Sequence, residues 1–143
     1  MEEIAYEAAS GRLDKVLVKL LEKAFSSKIR VVVHSPISER LAALDDYLWV
    51  YHPATFLPHA LSPSEDAALQ PIWLTDKVEN PNQATLLILL DTQDTTLFAH
   101  MFEKVFFLFP SEEAEGVRKT LAERDPFPLY WRQSPEGEWI QVL

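Results

Sequence analysis

Apolar residues in the first third of the chain follow two distinct periods. Ile4 and Tyr6 alternate with polar or small neighbours and predict a short strand over residues 3–7, which Gly11 closes off. From Leu13 onward the apolar positions are Leu13, Val16, Leu17, Leu20, Leu21, Ala24 and Phe25, the spacing of a one-sided helix. Ile29-Arg30-Val31-Val32-Val33 is β-branched and predicts a second strand. Ser35-Pro36 predicts a helix start, a hydroxyl at the cap followed by proline at the first helical position. Ile37, Leu41, Leu44 and Leu48 would line the inner face of that helix, which ends near Trp49.

Pro53, Pro58, Pro63 and Pro71 then punctuate a stretch too long for a bare connector, so a docked segment with a brief strand at 55–57 is expected. Residues 72–74 read as a strand and 76–83 as a polar loop. Residues 84–90 are continuously apolar, as in a central strand covered on both faces. A short helix over 95–103 would present Phe98, Met101 and Phe102, and a further buried strand follows at 104–109. Ser111 would cap a last helix with Glu112 and Glu113 in its first turn and Pro126 at its end. Segments 129–133 and 138–142 flank Ser134-Pro135-Glu136-Gly137 and read as a hairpin. Strands alternating with helices around an apolar middle strand predict an α/β fold with a mostly parallel sheet and helices on both faces.

The chain has 143 residues, 48% of them hydrophobic, which suits one domain spanning 1–143. With 13 Lys and Arg against 22 Asp and Glu, the net charge of −9 repels phosphate backbones and predicts little or no direct nucleic-acid binding. The absence of cysteine removes disulfides, zinc–thiolate sites and thiol nucleophiles together, and agrees with a reducing cytosol. Met1-Glu2-Glu3-Ile4 is no signal-peptide start, and no apolar run nears the ~20 residues of a membrane span. A soluble, cytoplasmic protein is expected.

The usual chemical constellations are missing. A phosphate-binding turn needs glycines that bring backbone amides to the anion, and Gly11, Gly116 and Gly137 do not stand in that pattern. Asp91 ends an apolar strand as the magnesium-binding acid of nucleotide hydrolases does, which leaves a nucleotide-binding α/β enzyme as the alternative reading. Its plainer role is a polar strand terminus or cap. His52 and His59 match no zinc-ligand spacing and read as loop histidines with local hydrogen bonds. His34 and Ser35 are adjacent on an extended chain and point apart, so they do not form a nucleophile–base pair. Asp45 and Asp46 read as solvated carboxylates on a helix exterior. No catalytic residue, metal site or cofactor is predicted.

Leu44-Asp45-Asp46-Tyr47-Leu48-Trp49, followed after a short gap by Phe56-Leu57-Pro58-His59, resembles the chi subunit family of bacterial DNA polymerase III. Pro71-Ile72-Trp73-Leu74, Asn80-Pro81-Asn82, the run from Phe102 to Pro110, and Leu129-Tyr130-Trp131 are similar to that family in the same order. The resemblance implies a Rossmann-like three-layer sandwich without nucleotide chemistry and without intrinsic enzymatic activity. It implies a clamp-loader accessory protein that binds a psi-like subunit and the acidic, apolar-ended tail of single-stranded DNA-binding protein. A helicase is a further implied partner for the psi-binding surface, and an adaptor serving a repair helicase is a second alternative.

Two sets of residues are expected to carry these contacts. Trp49, Phe56, Leu57, Pro58 and His59 concentrate apolar area at a helix end, the composition of an interface anchor for the psi-like partner or helicase. For the tail, Arg118, Lys119, Arg124 and Arg132 supply cations, with Phe109 and Val117 as pocket walls. Gly116-Val117-Arg118-Lys119 stands where family members carry a basic-aromatic-basic triplet.

Overall fold

A computed structural model describes residues 1–50 and 57–142. Strand β1 (Glu2–Ala8) leads through Gly11, at φ 76°, into helix α1 (Leu13–Ser26). Strand β2 (Val31–His34), helix α2 (Ser38–Val50), and strands β3 (His59–Leu61), β4 (Ile72–Thr75) and β5 (Leu86–Leu90) follow. Strand β6 (Lys104–Pro110), helix α3 (Ala114–Leu121) and strands β7 (Leu129–Gln133) and β8 (Trp139–Gln141) complete the order. The eight strands form one sheet in the order β3-β4-β2-β5-β6-β1-β7-β8, with every neighbouring pair parallel except the β7–β8 hairpin.

Residues alternate between the two faces of each strand, so the sheet separates two cores. On one face Val31, Val33, Ile88 and Leu90 meet Leu17 and Leu21 of α1 and Leu41, Leu44 and Leu48 of α2. On the other face Val32, Leu87, Leu89 and Phe107 meet Phe98, Phe102 and the buried side of α3, namely Ala114, Val117 and Leu121. Every residue of β5 is buried, because it has strands on both sides and a core above and below. The mostly parallel α/β sandwich with a C-terminal hairpin is thus as expected from the pattern.

Several local expectations are corrected. Helix α2 begins at Ser38, so Ile37 precedes it and is 45% exposed instead of lining its inner face. The Ser35 hydroxyl accepts the Ile37 N–H at 3.1 Å, a turn of its own before the helix. The segment 95–103 is not an α-helix but a 3₁₀ turn at Thr96–Phe98. Side chains compete with helical bonding there: Thr92 Oγ1 accepts the Asp94 N–H and Asp94 Oδ1 accepts the Thr96 N–H. Phe98 and Phe102 nevertheless reach the core. Ser111 opens a 3₁₀ turn without capping it, its hydroxyl turned to Glu112, and α3 ends at Leu121, before Pro126. The strand in the proline-rich stretch is His59–Leu61; of the expected 55–57, residues 55 and 56 lie outside the described residues.

The Asn80-Pro81-Asn82 step is a fastening. Asn82, fully buried, donates through Nδ2 to the carbonyls of Val31 and Gln70, at the starts of β2 and β4. Asn80 accepts the Ala84 N–H at 2.7 Å and donates to the carbonyls of Ala84 and Met101, holding the entry to β5.

A second buried polar group lies on the C-terminal end of β1. Glu7 accepts a short hydrogen bond from the Tyr130 hydroxyl, and Arg132 Nε stands 3.4 Å from its other oxygen. Burial first, then the bond and charge of Glu7, push the Tyr130 hydroxyl far up, so it stays a donor. Tyr130→Phe keeps the ring and leaves a buried carboxylate short of a donor. Chemical denaturation should show a loss of about 1–3 kcal/mol; no change would mean that Arg132 and solvent satisfy Glu7 unaided.

Candidate partner-binding surfaces

In an open α/β sheet the usual ligand crevice lies at the carboxyl ends of strands where connections diverge. Here the chain leaves β2 toward the β3 edge and β5 toward β6, so the crevice lies between β2 and β5. It is occupied by the protein's own side chains. Asp91, at φ 65° as the chain turns off β5, accepts both Arg40 Nε (3.0 Å) and Arg40 Nη2 (2.7 Å), and the Ser35 hydroxyl at 2.6 Å. Burial pushes the Asp91 carboxyl up, but the bonds from Arg40 and Ser35 and the Arg40 charge outweigh it and hold it below the usual range. Both carboxylate oxygens therefore have partners inside the chain, which fits a cap. Beside it, His34 is buried with Nδ1 3.2 Å from the Lys77 carbonyl and its ring edge-on to Phe98. Burial lowers its pKa, which favours the neutral ring.

The first expected binding patch sits at the end of α2. Leu41, Leu44 and Leu48 face the sheet, and one residue on, about 100° around the helix, Trp49 turns outward. Trp49 is 57% exposed and Val50 more so. The indole leans on the His59 ring, with centroids 4.8 Å apart. His59 itself is 5% exposed, Nδ1 bonded to the Leu57 carbonyl at 2.7 Å and Nε2 3.2 Å from Asp45 Oδ1. Of the expected set, His59 is buried against the indole, Leu57 is buried in the core, and Pro58 is half-buried. Asp45 is half-buried and helps to seat His59, whereas Asp46 is exposed. Phe56 lies outside the described residues.

The second expected patch is only partly assembled. Arg118 and Lys119 are exposed on α3; Arg118 Nε bonds the Ala114 carbonyl of its own helix and Lys119 pairs with Glu115 at 3.7 Å. Phe109 is buried in the core beneath α3, whereas Val117, on the inner side of α3, also lines the cleft beside that helix. The apolar character of Phe109 is spent on the sheet, which the sequence pattern alone does not distinguish from a pocket wall. Arg124 is a clamp: it pairs with Glu3 at 3.0 Å, donates to the Gln93 carbonyl and lies 5.2 Å over the Phe107 ring. Arg132 serves Glu7. The cleft beside α3 is walled by Glu112, Glu113 and Glu115 as well as Lys119.

Residues 1–124 match the family model described as DNA polymerase III chi subunit, HolC. The chain belongs to the chi family. It is similar to the DNA polymerase III subunit chi of Pseudomonas aeruginosa, 33% identical over 124 residues that cover 87% of this chain and 82% of that protein. It is also similar to a probable DNA polymerase III subunit chi of Rickettsia prowazekii, 24% identical over 147 aligned residues covering 96% of this chain and 89% of the relative. The residues matched by the chi model include Trp49 and all of α3 and stop before the β7–β8 hairpin. Ser35, Arg40 and Glu7 are structurally central to this chi-family chain; Ser35 was expected only as a helix cap, and no local pattern announced the other two. Their partners lie 51 or more residues away in sequence.

Proposed function

We propose that this chain is a non-catalytic accessory subunit of the DNA polymerase III holoenzyme, joining the clamp loader to single-stranded DNA-binding protein during replication. The observation that carries the reading is an exposed indole at the end of α2, in a chain of the chi family. A large, rigid aromatic over a well-packed base is the composition of an interface anchor. Trp49 rests on the seated His59 ring, so little order has to be imposed on binding. A psi-like clamp-loader subunit is its proposed occupant, and a helicase is the second candidate for the same anchor.

The tail of single-stranded DNA-binding protein is assigned to the α3 face, where Arg118 and Lys119 are the exposed cations. Both roles are open to direct tests. A tagged copy purified from its source cells should bring clamp-loader subunits with it; recovery of a helicase without them would favour the repair-adaptor reading. In a titration with the tail peptide, Arg118→Glu with Lys119→Glu should abolish binding and leave the fold intact. Unchanged affinity would remove the tail from α3.

A further inference from the structure

Across the sheet from α3, the first turns of α1 face the C-terminal hairpin over a cleft of about 480 Å³. Its apolar walls come from Tyr6 and Trp139, edge to face with centroids 5.5 Å apart, and from Val16 and Leu20 of α1. Arg12, Lys15 and Lys19 line it as well, against Glu136 as the one acid. This balance is unusual for a chain of net charge −9. Two other clefts of similar or larger size are rich in acids, Glu2, Glu3 and Asp125 in one and Glu112, Glu113 and Glu115 in the other.

These cations are also uncompensated. Among the described residues none of the three enters an ion pair. Arg12 Nη2 donates to the Pro135 carbonyl at 3.1 Å, which fixes its guanidinium beside the hairpin turn. Lys15 and Lys19 are exposed and one helical turn apart, a like-charge spacing that opposes helix formation until an anion relieves it. Trp139, Glu136 and Gly137 of the far wall lie beyond the residues that the chi model matches.

We propose that this cleft binds a short acidic peptide segment of a partner protein. One apolar side chain of the segment rests on Tyr6 and Trp139, and flanking carboxylates pair with Lys15, Lys19 and Arg12. Charge complementarity selects the sign of the ligand, and the apolar floor selects a peptide over a polyanion. An extended nucleic acid would carry many phosphates past an otherwise acidic surface. The edge-to-face rings also present no pair of parallel faces on which successive bases would stack. The site is independent of Trp49 and of α3.

The probe is an end-blocked Glu-Glu-Phe-Glu-Glu peptide carrying a fluorophore, titrated by anisotropy at low salt against the whole chain. Saturable binding is expected, weakened by about tenfold or more in Lys15→Glu with Lys19→Glu, since both attractions become repulsions. Trp139→Ala should weaken it by a similar factor, as should a peptide with alanine in place of phenylalanine. Arg118→Glu with Lys119→Glu should leave it unchanged, which separates this cleft from the α3 assignment. Circular dichroism melts of each variant check that the fold persists. No saturation up to millimolar peptide, or equal affinity in the double lysine variant, would overturn the proposal. So would tighter binding of a single-stranded oligonucleotide at the same residues.

Discussion

Trp49→Ala should weaken capture of the clamp-loader partner by roughly 30-fold or more, the loss typical of a buried aromatic anchor. The thermal midpoint should move little, because more than half of the side chain is exposed in the free protein. The neighbouring change gives the opposite result. Leu48→Ala removes a side chain 5% exposed and packed against α1 and the sheet. It should cost about 2–4 kcal/mol of stability through lost burial and the cavity left behind. A thermal shift of roughly 8 °C would report it, with partner affinity preserved at temperatures where the variant is folded. The pair is a sharp test because the two positions are adjacent on one helix and differ only in which way they face. If Trp49→Ala binds as well as the parent, the anchor lies elsewhere, and the exposed indole is only the cover of His59.

Asp91→Ala is expected to destabilise the fold. It strips Arg40 and Ser35 of their acceptor at once and unties the end of β5 from the start of α2. With Arg40 partly solvated, a loss of about 1–3 kcal/mol at neutral pH follows. The same group sets an acid limb. Its folded-state pKa lies below the unfolded value, so its contribution is complete above the unfolded value of about 4 and disappears as pH falls through the folded value. Urea midpoints measured from pH 5 downward should therefore fall less steeply in Asp91→Asn than in the parent. Identical acid limbs would show that the carboxylate gains nothing from Arg40 in the folded state.

What the sequence made legible was periodicity, and what it hid was depth and distance. The helical stripe from Leu13, the apolar run at 84–90 and the turn around Gly137 are local patterns, and each became its expected element. Phe109 and Val117 look like pocket walls in sequence because an apolar side chain on a strand end or helix reads the same whether it meets a ligand or a sheet. Phe109 is sealed in the core, while Val117 packs there and still borders the cleft beside α3. The burial of Leu57 and His59 was hidden in the same way, since proximity to Trp49 along the chain says nothing about which side faces water. Arg124 counts as a free cation until Glu3, from the other end of the chain, arrives beside it. The segment 95–103 had the right apolar spacing for a helix and the wrong polar residues, with Thr92 and Asp94 drawing the backbone into turns. Lys15 and Lys19 acquire meaning only once the hairpin carrying Trp139 is placed opposite them.

The position of β1 in the sheet has a consequence for how the chain comes to be folded. Its two neighbours are β6 and β7, so Ile4 sits beside Phe106 on one side and Leu129 on the other. During synthesis β1 leaves the ribosome well before β6 and β7, so neither of its edges can be satisfied until those later strands have emerged. Such long-range pairing is slow to form and leaves an apolar strand waiting in the open. Glu2, Glu3 and Glu7, interleaved with its hydrophobic residues, are the charges that keep that waiting strand from pairing with the wrong chain.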